Sequence, residues 1–212
     1  MSREKLEWTH YESWEGDKKV LLIGDSIIWG SHSYAEKILA EKFALTTVVS
    51  AHGVNETQFF KSVSMLATLN DSSYEAVYFN NGLHTRGQTA DEYAENYETV
   101  LTALMEAIPA KKWILGLSTP ISNMQTDIWD NTTPITDQEI KSLEKRNELV
   151  LAYNEKVKEI AQKKGLPYYD AYALAKDYNH LKIDPYHYNK EGRKLIAEGI
   201  CGYILKVTAE EV

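Results

Sequence analysis

The sequence has little of what disulfide-bonded, membrane-spanning and nucleic-acid-binding proteins need. Its 212 residues include a single cysteine, Cys201, so no disulfide can form within the chain. No apolar stretch approaches the length of a transmembrane helix, and the charged first residues lack a signal peptide's apolar region. We therefore expect a cytoplasmic protein with no membrane partner. A formal net charge of −8 argues against nucleic acid as a partner, because proteins that bind it carry a basic surface for the phosphates.

What the chain does contain is the composition of a globular domain in which strands and helices alternate. Hydrophobic residues make up 43% and charged residues 25% of the sequence, which suffices for a substantial core. Apolar runs of strand length are predicted at 18–23, 45–49, 76–79, 113–117 and 168–172. Helices are predicted at 33–43, 56–69, 89–107, 139–164 and 189–206. We expect an α/β fold in which residues 18–212 form one domain around a five-stranded parallel sheet, preceded by an N-terminal arm, 1–17.

Small or polar residues lie just beyond four of the predicted strands. These residues are Ser26, Gly53, Asn80 and Ser118. Because the carboxyl ends of parallel strands meet at one edge of a sheet, we expect the four loops to converge there. The polar segment 118–137 predicts a long loop, of the kind that forms lids or binding loops.

The first of these turns carries a serine. An apolar run, 20–23, breaks abruptly into Gly24, Asp25 and Ser26. Gly-Asp-Ser alone is also an ordinary turn. After a buried strand, however, a sharp turn exposes the serine oxygen while the amides of the following helix point at any developing negative charge. A serine hydroxyl needs a base to become a nucleophile, so an imidazole has to come from elsewhere in the chain.

An acid and an imidazole stand three residues apart near the other end of the chain. Asp184 and His187 belong to the segment D-P-Y-H, which by itself predicts an Asp-Pro turn with a surface histidine. Because the segment precedes a predicted helix capped by Asn189, it could hold both side chains on one side of the backbone. Asp184 would then orient His187, which would act on Ser26 first as general base and later as general acid.

Two further loops offer donors for a negatively charged oxygen. An asparagine amide at a strand end, as at Asn80, can donate a hydrogen bond to an oxyanion. Gly53 could contribute a backbone N–H, because no Cβ blocks the approach of a ligand. The segment 80–84 is also typical of a structural turn, because Asn and Gly tolerate left-handed backbone angles.

Taken together, these segments resemble the sequence blocks of the SGNH, or GDSL-type, esterases and acylhydrolases. Gly24-Asp25-Ser26 is similar to the first block, Gly53 to the glycine of the second and Asn80 to the asparagine of the third. The Asp184–His187 pair is similar to the fifth block. Residues 80–84 also resemble the Asn-x-Gly-Leu-His-Asp variant of one branch of that superfamily.

The resemblance covers about residues 19–206 and implies a three-layer α/β/α, flavodoxin-like fold. It implies Ser26 as nucleophile, His187 as base and Asp184 as the acid that orients it. It also implies an oxyanion hole made by the amides of Ser26 and Gly53 and the side chain of Asn80.

The chain departs from the family pattern at three positions. Ile27 replaces the leucine of the GDSL signature, which is a conservative apolar exchange. Thr85 stands where the branch has aspartate after His84, which leaves the role of His84 open. Tyr78 stands where the third block has a glycine two residues before its asparagine, so Asn81 is a second candidate for the amide donor.

Aromatic and polar side chains near the matched blocks are candidates for substrate contact. These residues are Asp25, Trp29, His84, Trp129 and Tyr186. Aromatic walls of this kind could stack on a sugar face or hold a short acyl chain. Three further histidines lack partners at metal-ligand spacing, so we expect no metal and no cofactor.

The sequence therefore favours a serine hydrolase of carboxylic esters, with a short acyl group such as acetyl on a carbohydrate or another small molecule. Acyl transfer and thioester cleavage would use the same residues. A catalytically silent glycan-binding module on the same fold is an alternative from another class. A nucleotide- or flavin-binding protein is disfavoured, because Gly24 and Gly30 do not form a G-x-G-x-x-G phosphate loop. The oligomeric state is left open.

Overall fold

The computed structural model describes residues 8–69, 73–85, 87–123 and 136–210. Within these residues, six strands form one central sheet: β1 (Thr9–Ser13), β2 (Lys19–Gly24), β3 (Ala44–Ser50), β4 (Tyr74–Phe79), β5 (Ala110–Gly116) and β6 (Tyr168–Tyr169). Their order across the sheet is β1-β3-β2-β4-β5-β6. All neighbouring strands run parallel except β1, which is antiparallel to β3.

Helices cover both faces of this sheet, which confirms the three-layer α/β/α fold. They are α1 (Ser26–Leu39), α2 (Thr57–Ala67), α3 (Ala90–Ala107), α4 (Asp137–Lys164), α5 (Ala171–Ala175) and α6 (Lys190–Ala209). Alternate residues of β2 point to opposite faces. Val20 and Leu22 pack with α1 and α6, whereas Leu21 and Ile23 pack with α2, α3 and most of α4. This double burial explains why the strand is apolar throughout.

The sheet has one strand more than the five that the sequence predicts. Residues 9–13, assigned from the sequence to an arm, pair with β3 from Thr9 opposite Ser50 to Ser13 opposite Thr46. β1 lies at the edge of the sheet, and none of its five residues is fully buried. It therefore lacks the apolar pattern by which the buried strands are predicted, and its pairing depends on a partner that lies far away in sequence.

Two element boundaries differ from the predicted ones for local reasons. α1 begins at Ser26 rather than at residue 33, because the Asp25 side chain accepts a hydrogen bond from the Ile27 amide and caps the helix. The strand predicted at 168–172 ends at Tyr169. Asp170 then caps the short helix α5 by accepting a hydrogen bond from the Ala173 amide.

The single cysteine is a core residue. Cys201 is fully buried in α6, and burial raises the pKa of its thiol to about 12. A thiol in this environment stays protonated and unreactive. None of the described helices combines the length and the apolar character that a bilayer-crossing helix needs.

Candidate active site

Ser26 lies where β2 passes directly into α1. Gly24 ends the strand, Asp25 is the cap, and Ser26 is the first residue of the helix. The first amides of a helix have no carbonyl partner within it, so the Ser26 N–H is available to a ligand. The positive end of the helix dipole lies at the same place. The hydroxyl and a hydrogen-bond donor for an anion thus come from one turn.

The Asp184 carboxylate organises the turn that carries His187. Its Oδ1 accepts hydrogen bonds from the amides of Tyr186 at 2.7 Å and of His187 at 2.8 Å. An aspartate that accepts amides two and three residues ahead closes a tight turn by itself. This leaves Oδ2 free to accept the His187 Nδ1–H at 2.7 Å. Both oxygens of the carboxylate therefore act within four residues of chain.

The structure brings Ser26, His187 and Asp184 together, although Ser26 and His187 are 161 residues apart in sequence. The distance from Ser26 Oγ to His187 Nε2 is 2.8 Å. With Nδ1 donating to Asp184, Nε2 carries the lone pair and accepts the serine hydroxyl. This chain of two hydrogen bonds is the geometry required for moving a proton from a serine to an imidazole.

Asp184 is held in its charged form. Burial acts to raise its pKa, but hydrogen bonds from the His187 side chain and from the His187 and Tyr186 amides outweigh this, so its pKa lies below the ordinary value. The carboxyl is 6% exposed, so little water competes for it. A charged, buried acid beside Nδ1 fixes the imidazole tautomer and stabilises the imidazolium that proton transfer would create.

A buried lysine fastens this turn to the neighbouring loop. Lys182 is 6% exposed, and its Nζ donates to the carbonyl oxygens of Pro120 and Pro185, the latter at 3.0 Å. The Pro185 oxygen also accepts the Ser122 amide at 2.9 Å. Burial lowers the pKa of Lys182 to about 8, although Asp184 acts in the opposite direction.

The loops that follow β2, β3, β4 and β5 meet at one edge of the sheet, as the sequence predicts. Strand register places Gly24 beside Val49, and Ile23 beside Phe79. The backbone N–H of Asn80 donates to the carbonyl of Ile23, which lies three residues before Ser26. Gly82 approaches Ser118 so closely that a Cβ on it would meet the serine Oγ at 2.3 Å.

The two candidate asparagines donate to protein groups in this structure. Asn80 Nδ2 donates to the Gly116 carbonyl at 2.8 Å and to Ser118 Oγ at 3.2 Å. Asn81 Nδ2 donates to the His52 carbonyl at 2.9 Å, and its Oδ1 accepts the Thr85 hydroxyl. Asn81 thus ties together two loops and is 1% exposed, whereas Asn80 is 6% exposed and lines a small cavity with Ile27.

Gly53 is placed where only glycine fits, but its amide is also engaged. A Cβ on Gly53 would lie 2.9 Å from the Thr85 backbone, so a side chain would push the two loops apart. The Gly53 N–H donates to Glu56 Oε1 at 2.9 Å, and the other oxygen of Glu56 accepts the His52 Nδ1–H at 3.1 Å. Gly53 can serve an oxyanion only if its amide leaves this carboxylate.

The residues predicted for substrate contact differ in burial and in their distance from the candidate site. Asp25 is wholly buried and caps α1, so the structure assigns it to helix capping rather than to substrate contact. Tyr186 is half-buried next to His187, with the ring centroids 6.3 Å apart. His84 is half-buried and lies edge-on to Trp8 at 5.6 Å. Trp129 lies outside the described residues.

Trp29 belongs to a stack of indole and imidazole rings that joins β1 to α1. It packs between His10, at 4.8 Å, and His32, at 4.2 Å between ring centroids. Trp8 covers the other face of His10 at 5.3 Å and also reaches His84. Trp29 lies about one helical turn after Ser26 in α1, and β1 supplies His10 to the stack.

Sequence reasoning missed the polar residues that surround the predicted site. Arg146, in the middle of α4, donates to the Tyr186 hydroxyl and to the Leu83 carbonyl. Nothing in the sequence pattern distinguishes it from the other charged residues of that helix. Lys182 could have been suspected only because it lies two residues before Asp184 in the sequence. Among the described residues, no group of three potential ligands that could hold a metal ion is found.

Comparison with known proteins gives a consistent picture of the fold. No protein-family model matches the sequence, and no curated protein matches it either. A carbohydrate acetylesterase from Sinorhizobium meliloti superposes with a TM-score of 0.68 at 14% identity, covering 90% of this chain and 100% of that chain. The inhibitor-bound aryl esterase of M. smegmatis superposes with a TM-score of 0.69 at 13% identity, over 90% and 99% of the two chains.

A member of the lipolytic G-D-S-L family from Veillonella parvula superposes with a TM-score of 0.65 at 16% identity, over 92% of this chain and 100% of that one. This chain has the SGNH hydrolase fold. The likeness found in the backbone agrees with the fold that the sequence blocks led us to expect. At these identities the SGNH fold is shown by the comparison, and the chemistry has to be argued from the site.

Proposed function

We propose that the protein is a serine esterase that cleaves a carboxylic ester through an acyl-enzyme. The observation that carries this proposal is the pair of hydrogen bonds from Ser26 Oγ to His187 Nε2, at 2.8 Å, and from His187 Nδ1 to Asp184 Oδ2, at 2.7 Å. The three groups come from two turns that are distant in sequence. A purely structural turn at either place has no need of this alignment.

In the proposed reaction, Ser26 Oγ attacks the ester carbonyl carbon as His187 Nε2 takes the hydroxyl proton. The carbonyl oxygen becomes an oxyanion, and the imidazolium is stabilised by Asp184. Collapse of the tetrahedral intermediate breaks the bond to the alcohol, which leaves with the proton that His187 returns. Water then attacks the acyl-serine by the same route, releases the carboxylic acid and restores the serine.

The oxyanion is proposed to lie at the N-terminus of α1. The Ser26 N–H has no acceptor within the helix, so it is the donor that is ready without rearrangement. Asn80 and Gly53 can join it when their hydrogen bonds to Gly116, Ser118 and Glu56 are exchanged for the charged oxygen. An oxyanion is a stronger acceptor than a neutral carbonyl or hydroxyl, which favours the exchange at Asn80.

The small cavity lined by Ile27, the residue after Ser26, leaves no room for a long acyl chain. The cavity that Ile27 and Asn80 line has a volume of about 10 Å³, which is room for one water molecule and none for an acyl chain. The ring stack that contains Trp29 offers an aromatic wall of the kind that packs against sugars. Solved proteins with this fold include a carbohydrate acetylesterase. We therefore propose acetyl esters of carbohydrates or similar small molecules as substrates.

The test compares the protein with its Ser26→Ala variant on p-nitrophenyl acetate. We expect the native protein to release p-nitrophenolate and the variant to be slower by about 10⁴-fold or more, because the nucleophile is absent. Thermal unfolding of both proteins checks that the fold is retained. A fluorophosphonate probe should label the native chain only. Equal hydrolysis rates, or equal labelling, would remove Ser26 from the mechanism.

A further inference from the structure

Arg146 is a positive charge that the proposed mechanism does not use. It projects from the middle of α4 and is half-buried. One terminal nitrogen donates to the Tyr186 hydroxyl and the other to the Leu83 carbonyl at 3.2 Å. The guanidinium carbon lies 5.1 Å from the centroid of the Tyr186 ring. The side chain therefore bridges the two segments that border the candidate site.

Both partners of Arg146 belong to segments that border the candidate site. Tyr186 directly precedes His187, and their ring centroids are 6.3 Å apart. The guanidinium carbon therefore lies at most about 11.4 Å from the centroid of the His187 ring. Leu83 lines the same small cavity as Ile27 and Asn80. Arg146 therefore contacts both segments next to the candidate site, Tyr186 on the His187 turn and Leu83 on the loop after β4.

The charge of Arg146 is not neutralised by the described part of the chain. Among residues 8–69, 73–85, 87–123 and 136–210, no carboxylate forms an ion pair with it, whereas nearby lysines of α4 such as Lys156 and Lys158 have acidic partners. A guanidinium has five N–H donors, and two of them are used here. Holding Tyr186 and Leu83 requires donors but no positive charge.

We infer that Arg146 binds a carboxylate of the ester substrate. The inference rests on the proposed esterase function and narrows its substrate class to esters of carboxylate-bearing alcohols, such as an O-acetylated sugar acid. The planar guanidinium fork matches a carboxylate in a bidentate pair, and a half-buried position strengthens that pair relative to water. The Tyr186 hydroxyl, already bonded to the guanidinium, fixes the direction in which the fork points.

The first experiment measures binding without turnover. In the Ser26→Ala background, dissociation constants are determined by calorimetry for O-acetylated glucuronic acid and for its neutral methyl ester. We expect the acid to bind at least about 10-fold more tightly, as for hydrogen bonds between charged groups. Arg146→Gln should remove this preference, and Arg146→Lys should retain part of it. Lys145→Gln, which removes one charge from an exposed neighbour, should leave it unchanged.

The second experiment measures hydrolysis of the same two esters by the protein with Ser26 intact. We expect a higher kcat/KM for the acid than for the methyl ester, and a ratio close to one in Arg146→Gln, with the change mainly in KM. Thermal unfolding checks that the variants fold. If Arg146→Gln does not fold, Arg146→Lys replaces it in the comparison.

The outcomes separate the two proposals. Equal binding of acid and methyl ester, or a ratio that survives in Arg146→Gln, would overturn the role of Arg146 while Ser26-dependent hydrolysis still supports the esterase. A loss of activity on both esters in the same proportion would make Arg146 structural and overturn its role as well. Preferential binding of the acid without any hydrolysis would support the anion site and overturn the esterase proposal.

Discussion

The two sides of the candidate site, the turn that carries His187 and the loops that carry Gly53 and Asn80, differ in where their hydrogen bonds go. On the first side, Asp184 holds the turn and the His187 ring, and the other nitrogen of that ring is hydrogen-bonded to Ser26 Oγ. On the other side, the amides of Gly53 and Asn80 are bonded to Glu56, Gly116 and Ser118. The hydrogen bonds of the proposed proton relay are already formed in this structure, whereas two of the three predicted oxyanion donors have to change partners before they can act.

The difference follows from how local each arrangement is. Asp184 contacts the amides and the imidazole of residues two and three positions ahead, so a single turn fixes the geometry. The donor side joins loops from separate strands, and Gly53 fits only because it lacks a Cβ next to Thr85. Loops that meet this closely satisfy their polar groups with each other when no ligand is present.

The greatest loss of activity is expected when the negative charge of Asp184, beside His187, is removed. Asp184→Asn should lower kcat for p-nitrophenyl acetate by about 10⁴-fold, because an amide no longer selects the tautomer in which His187 Nε2 accepts the serine proton. Single-turnover acylation kinetics measure the effect at the first chemical step. Asp170→Asn, at the cap of α5, is the matched control, and the relay is contradicted if both variants acylate alike.

A smaller effect is expected on the donor side. Asn80→Ala should lower kcat by about 10²–10³-fold with little change in KM, as for the loss of one oxyanion donor. Asn81→Ala should act mainly on stability, because its side chain joins the His52 and Thr85 loops. Steady-state kinetics and urea unfolding of both variants separate the two roles. The reverse pattern would make Asn81 the donor and would move the oxyanion hole.

A modest, pH-dependent effect on stability is expected for Lys182, which donates hydrogen bonds to the carbonyls of Pro120 and Pro185 next to the His187 turn. Its pKa is lowered to about 8 in the folded protein, whereas an unfolded lysine titrates near 10.4. Between these two values the unfolded chain binds more protons than the folded one, so this group's contribution to the free energy of unfolding rises with pH. Well below pH 8 the contribution is constant, because lysine is charged in both states.

Urea unfolding at several values between pH 7.5 and pH 9.5 tests this dependence. Relative to Lys182→Met, the native protein should gain up to about 1.4 kcal/mol of stability per pH unit above pH 8. Comparing the two proteins at each pH removes the titration of their many tyrosines. Parallel stability curves would show that Lys182 keeps an ordinary pKa in the folded protein.

Much of the fold could be predicted because its signals are local. The apolar run of β2 is buried on both faces by helices, and the Asn189 cap of α6 is observed as predicted. The start of α1 was missed, although Asp25 is a good cap residue, because the helix begins immediately after the strand. β1 was missed because its side chains face solvent in part and its partner lies more than thirty residues away in sequence.

The residues of the proposed ester chemistry could be named from the chain alone, since a serine after a buried strand and an acid three residues before an imidazole are local patterns with local physical causes. Which of the distant side chains come into contact depends on the folded chain. Packing places His10 of β1 between Trp8 and Trp29, and it brings the charge of Arg146 to Tyr186. Such contacts between distant segments depend on how the layers pack, and no spacing along the chain records them.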